Sequence, residues 1–129
     1  MILYVETSAA AKLLVEERES GRMAARMDSA VDQDDELISS MLLETELRRI
    51  AVRLGLSQGN VTGLLDRFDL IEIDRALYRE AGLLPGLHLR SLDALHLAAA
   101  LRVGADVMVT SDQRQADACA ASGLPVLAP

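Results

Sequence analysis

Four acidic residues in this sequence stand where a carboxylate can take part in chemistry. Glu6 directly follows the apolar run Ile2-Leu3-Tyr4-Val5, Asp112 lies three residues beyond Val107-Met108-Val109, and Asp93 interrupts the apolar stretch from Leu92 to Leu101. Glu46 flanks the helical stripe Leu43, Leu47, Ile50 and Leu54; Glu44 flanks it too, and a helical wheel favours Glu46 only slightly. Glu44 has a second use, an i,i+4 pair with Arg48 worth a few tenths of a kcal/mol. Asp93, near the start of a helix apolar almost all round, gains from the helix dipole but costs several kcal/mol if left unpaired in the interior. A cationic neighbour is therefore expected beside it. Acids that converge without an equal number of bases repel one another, and a divalent metal is the usual resolution. Hard oxygen donors with no paired Cys or His select Mg²⁺ or Mn²⁺ over Zn²⁺.

The elements that must position these acids can be read from the pattern. Strands are expected at Ile2 to Val5, Leu37-Ile38, Leu70 to Ile73, Val107 to Val109 and Pro125 to Leu127. Thr7-Ser8, Ser39-Ser40, Ser57, Asp74, Ser91 and Asp112 each offer a helix cap. They open helices through Leu14, over Met41 to Leu54 with Gly55 as the stop, through Leu65, through Leu77, over Leu92 to Val103, and on to Ser122-Gly123. A further helix is expected over Gly21 to Val31, and the acidic run Asp32 to Glu36 reads as a solvated loop. Short all-apolar strands alternating with helices predict a parallel sheet covered on both faces. In such sheets ligands bind beyond the carboxyl ends of the strands, the edge where Glu6 and Asp112 fall.

Composition narrows the field further. With 129 residues, one domain is expected, and 50% hydrophobic residues suffice to fill its core. Two Tyr, one Phe and no Trp argue against an RNA-binding platform built on base stacking. The net charge of −7 repels polyanions on average, so any nucleic-acid contact must be local. All basic residues except Lys12 are Arg, which favours bidentate contacts with phosphate or carboxylate. The lone Cys119 cannot close an internal disulfide, and the opening apolar run is too short for a signal peptide or a membrane span. A cytoplasmic protein without a membrane partner is the expectation.

The segments Tyr4-Val5-Glu6-Thr7-Ser8-Ala9, Glu44-Thr45-Glu46-Leu47, Leu89-Arg90-Ser91-Leu92-Asp93-Ala94-Leu95-His96-Leu97-Ala98 and Val109-Thr110-Ser111-Asp112 resemble PIN-domain ribonucleases. Their order and spacing are similar to those of VapC-type toxins from bacterial toxin–antitoxin pairs, and the resemblance spans essentially the whole chain. It implies a PIN-like α/β/α sandwich with a short, mostly parallel central sheet. It also implies a metal-dependent endoribonuclease in which Glu6, Glu46, Asp93 and Asp112 hold one or two Mg²⁺ or Mn²⁺ ions that activate water for attack on an RNA phosphodiester. Thr7, Ser8 and Thr110 match polar positions beside that cluster. The implied partners are an RNA substrate, a cognate antitoxin that obstructs the acidic pocket, and a second copy in a homodimer.

One position departs from the family pattern, because the first acid is normally Asp and here it is Glu6. An extra methylene moves a carboxylate outward by roughly 1.5 Å, whereas Mg²⁺ demands near-octahedral oxygens. Weakened catalysis, or a preference for Mn²⁺, would follow. The alternative function is a binding module that engages an antitoxin or regulatory partner without turnover. A receiver-like signalling domain would need a Lys on a late strand, and Lys12 is the only Lys.

Structural uses compete with each of these assignments. Glu6 can serve as a helix N-terminal charge worth under about 1 kcal/mol, Asp112 as a cap, and Asp93 as a buried acid bonded to His96 or an Arg. His96 reads as a packed or supporting residue and His88 as a loop residue, and both stay outside the site for want of other ligands at metal-binding spacing. Arg48, Arg49, Arg53 and Arg90 are candidates for a phosphate-binding rim, or for a solvated face with acidic partners.

Overall fold

The computed structural model describes all residues 1–129. Its first strand, β1 (Ile2–Val5), is followed by a single helical turn, α1 (Thr7–Ala10), which tightens into a 3₁₀ turn at Ala11–Leu13. Next come α2 (Ser20–Asp32), β2 (Glu36–Ser40), α3 (Met41–Leu54), α4 (Gln58–Leu65) and β3 (Asp69–Ile71). The chain continues through α5 (Arg75–Gly82), α6 (Ser91–Arg102), β4 (Val107–Val109), α7 (Gln113–Ala121) and β5 (Val126–Leu127). The sheet order is β3-β2-β1-β4-β5, and every pairing is parallel. The expected mostly parallel sheet is thus parallel throughout.

Side chains alternate across the pleat and divide the core in two. Leu3, Val5, Leu37, Val107 and Val109 pack with Met23, Met27, Leu43 and Leu47 on one face. Tyr4, Ile38 and Met108 pack with Leu77, Leu97 and Cys119 on the other. The result is an α/β/α sandwich. Helix α6 is buried without a break from Ala94 to Ala100, which explains its lack of a polar stripe. Along α3 the fully buried positions are Leu43, Leu47 and Ala51, spaced by four, while Leu54 is half exposed. The expected stripe therefore turns onto Ala51 at its end, before Gly55 closes the helix in the left-handed region at φ 67°.

Capping differs from expectation in instructive ways. Ser57, Asp74 and Asp112 cap as anticipated, each accepting backbone N–H groups. Ser91 does not: Arg90 occupies the cap position of α6, and Ser91 is the first helical residue. Ser40 holds the cap position of α3, but its hydroxyl makes no capping bond and is buried without a partner. Its neighbour Ser39 donates instead to the Val5 carbonyl at 2.7 Å, tying β2 to β1. The acidic run is also more than a loop. Asp35 accepts from the N-terminal amine at 2.9 Å, and Asp106 accepts from Ile2 N–H at 2.7 Å, so both neighbours of β1 hold its start. The single Lys12 is nearly buried and pairs with Glu17 at 2.9 Å and Glu19 at 3.0 Å. No helix is long and apolar enough to cross a membrane.

The strand order creates the place for a site. From β1 the chain builds outward to β2 and β3, and from the adjacent β4 it builds the other way to β5. Crossovers therefore diverge between β1 and β4, opening a crevice at their carboxyl ends. Glu6 N–H bonds to the Val109 carbonyl at 3.2 Å, so the residues that follow each strand enter that crevice side by side.

Candidate active site

Glu6 keeps an extended backbone (φ −92°, ψ 172°) and is only 4% exposed. It, and not Thr7 or Ser8, caps α1. Its Oε1 accepts from Ser8 N–H at 3.1 Å, from Thr110 Oγ1 at 2.6 Å and from the Ser8 hydroxyl. The carboxylate is thus held against the start of α1 and Thr110 through Oε1, with Oε2 unbonded. The hydroxyls serve the acids: Ser8 and Thr110 hold Glu6, while Thr7 Oγ1 donates to Glu46 Oε1 at 2.8 Å.

Glu46 extends from α3 toward β1 and α6. Its Oε1 also meets His96 Nε2 at 2.6 Å. Burial works to raise its pKa, but the hydrogen bonds and charge of His96, with Thr7, outweigh it and hold the carboxyl below its ordinary value. Glu44 is excluded from the cluster by its ion pair with Arg48 on the same helix. Arg48 also donates to Gln58 at 3.1 Å and Thr62 at 3.2 Å, which locks α3 to α4 and removes it from the proposed rim. Arg49, Arg53 and Arg90 form no ion pair.

Asp112 caps α7, its Oδ1 accepting from Arg114 N–H at 2.9 Å and Gln115 N–H at 3.4 Å. Gln115 reaches back through Nε2 to the Asp93 carbonyl at 3.2 Å, joining α7 to the first turn of α6. Asp93 itself is half-buried, and its carboxylate has no hydrogen bond or ion pair. The expected cationic neighbour is absent. Burial raises its pKa above the ordinary 3.8, and the charges of Asp112, Glu6 and, less, Glu46 raise it further against an opposing contribution from His96. Asp93 therefore lies within the field of the other three acids.

The four do not yet form a cage. No three Asp, Glu, His or Cys side chains are close enough, as they stand, to coordinate one ion. Their chemistry nevertheless fits a hard cation. Glu6, Glu46 and Asp112 are each anchored through one oxygen, and the second makes no hydrogen bond; both oxygens of Asp93 are unbonded. No Arg or Lys neutralises any of the four. A surface hollow of about 490 Å³ lined by Arg22, Ala25, Arg26, Ser29, Ala128 and Pro129 contains none of them, so the carboxylates, not the hollow, locate the chemistry.

His96 is the packed, supporting residue that the sequence suggests, and Tyr4 beside it escapes a sequence reading. His96 is 1% exposed, and its Nδ1 meets the Tyr4 hydroxyl at 2.7 Å, the rings lying edge to face with centroids 5.8 Å apart. The available signal was periodicity: His96 is three residues from Asp93 on α6, and Tyr4 is two residues from Glu6 on β1, so each shares a face with an acid. His88 lies exposed in the loop before α6, as expected.

Residues 3–121 match the family described as PIN domain. The chain is 39% identical over 134 residues to Ribonuclease VapC35 of Mycobacterium tuberculosis (strain CDC 1551 / Oshkosh), covering 99% of this chain and 97% of that protein. Ribonuclease VapC46 of Mycobacterium tuberculosis (strain ATCC 25618 / H37Rv) is 34% identical over 130 residues, with 98% and 97% covered. The chain therefore belongs to the PIN-domain family and, within it, to the VapC group. Solved structures agree on the fold. VapBC2 from Rickettsia felis bound to a DNA fragment from their promoter superposes with a TM-score of 0.78 at 16% identity, over 100% of this chain and 99% of the matched chain. FitAB bound to an IR36 DNA fragment gives 0.73 at 20% identity, over 100% and 95%.

Proposed function

We propose that this chain is an endoribonuclease that acts as the toxin of a toxin–antitoxin pair, hydrolysing RNA phosphodiesters at Glu6, Glu46, Asp93 and Asp112. The relatives named ribonucleases match it along its whole length. The observation that carries the chemistry is Asp93, an unpaired half-buried carboxylate in the field of three others, with no Arg or Lys paired to any of the four. Mg²⁺ or Mn²⁺ held by the four acids would activate a water and stabilise charge developing on the phosphate. Glu6, Glu46 and Asp112 would bind it through the oxygens left unbonded, while their anchored oxygens keep each carboxylate in place. Asp93, tied only through its backbone to Gln115, is the acid free to turn toward the ion.

Total RNA incubated with the protein tests this directly. Fragments are expected with Mg²⁺ and with Mn²⁺ and none in EDTA; cleavage that persists in EDTA overturns the metal reading. The remaining partners follow from the same reading: an antitoxin whose basic side chain would suit the uncompensated acids, a homodimer, and a cytoplasmic location. One observation favours the rival reading of a partner-binding module without turnover, namely that no three acids already converge. Antitoxin binding with no metal-dependent cleavage at high protein concentration would select it.

Because the net charge is −7, phosphate contacts must come from local Arg residues. Arg90, at the cap of α6 three residues before Asp93, has no ion pair and is the first choice. Arg90→Glu is expected to weaken RNA binding for all sequences alike and to flatten the log–log salt dependence by about one unit. An unchanged slope removes Arg90 from the rim.

A further inference from the structure

His96 is buried beside the acids and has no part in the reaction as described. Its Nε2 lies 2.6 Å from Glu46 Oε1 and 3.3 Å from Thr7 Oγ1. An ionised carboxylate can only accept. Thr7 has already given its proton to that same Oε1, so toward Nε2 its oxygen can only accept as well. Nε2 must therefore carry a proton. On the far side of the ring the Tyr4 hydroxyl, which can donate or accept, lies 2.7 Å from Nδ1 and holds the imidazole at its other end. Nε2 therefore donates to Glu46 whichever group carries the proton between Nδ1 and Tyr4.

We propose that His96, oriented by Tyr4, is a positioning residue that fixes Glu46 through its Oε1 and leaves Oε2 as the oxygen offered to a cation. A glutamate side chain otherwise has several rotamers to lose on binding an ion. Held from two directions, by Thr7 from the start of α1 and His96 from α6, Glu46 is set before an ion arrives. His96 is too buried to touch RNA, which makes it a supporting group and not a catalytic one. The inference rests on the reading of Glu46 as one of the cation-holding acids.

The test uses two isosteres and Mn²⁺ alone as the probe. Gln places an amide nitrogen near the position of Nε2 and can still donate to Glu46, whereas Asn places its polar atoms near Nδ1 and can satisfy only Tyr4. His96→Asn is expected to lower Mn²⁺ affinity about 10–100-fold, as is usual when a ligand's hydrogen-bond partner is lost. His96→Gln is expected to rescue most of that loss. Equal losses in the two variants overturn the proposal. A second measurement needs neither a variant nor a metal: the imidazole ¹⁵N shifts of the unmodified, metal-free protein should place the His96 proton on Nε2, and a proton on Nδ1 alone overturns the proposal. The two readings fail differently. If the unmodified chain binds no Mn²⁺, the cation site falls and takes the inference with it; if it binds Mn²⁺ and Asn and Gln are equivalent, only the role of His96 falls.

Discussion

Asp93→Asn is expected to lower metal-dependent RNA cleavage by about 100-fold or more, roughly 3 kcal/mol at 1.4 kcal/mol per decade, because a cation site is left without one of its charges. The same change should not weaken the fold. The Asp93 carboxylate makes no bond that Asn would lose, and its raised pKa marks a charge the folded state disfavours. A group whose pKa is higher in the folded state contributes its stability fully below the unfolded value, and that contribution fades as pH rises through the folded value. Asp93 should therefore contribute a loss of stability as pH rises from the ordinary carboxyl value of 3.8 through its raised folded value, against the opposite contribution of Glu46, and the pH profile of metal-free Asp93→Asn should lack the Asp93 part. Cleavage assays, with thermal melts in EDTA from acid to neutral pH, check both halves. Retained cleavage, or a clearly lower melting temperature for the Asn form at neutral pH, would contradict the assignment.

The second large effect concerns Glu6. Its carboxylate accepts from Ser8 and Thr110, so the long side chain is spent on local bonds. Asp is among the preferred N-cap residues and can keep the bond to the N–H two residues on. It would do so with its carboxylate one methylene closer to the strand, where the demanding octahedral geometry of Mg²⁺ is more easily met. Glu6→Asp is expected to increase cleavage about tenfold with Mg²⁺, equivalent to about 1.4 kcal/mol, and less with the more permissive Mn²⁺. Equal or lower activity of the Asp form with both metals removes Glu6 from the site.

Much of this arrangement is legible before any coordinates. An apolar run that ends in an acid declares its own carboxyl edge in a parallel sheet, and this places Glu6 and Asp112 on one rim. Unbroken apolarity identifies α6 as the buried helix and Asp93 as its exception. The failures share one physical origin. Capping rules treat Thr7 and Ser8 as local residues, but their hydroxyls are claimed by carboxylates, and Ser8 shares Glu6 with Thr110 from across the sheet. The general rule that a half-buried charge finds a base fails at Asp93, as local rules do at functional sites. A supporting role for His96 is legible, but its partners are not, because Tyr4 and Glu46 come from β1 and α3.

The bond from Thr110 to Glu6 spans 104 residues of chain, and this has a bearing on the ribosome. The cluster exists only once β4 has docked beside the first strand and Asp112 has begun the helix that follows. A nascent polypeptide that has emerged only as far as α6 carries three of the acids and the partners of Glu46, but lacks both Asp112 and the Thr110 bond that holds Glu6. Synthesis of such a ribonuclease is expected to stay silent until the segment through Asp112 has emerged and docked.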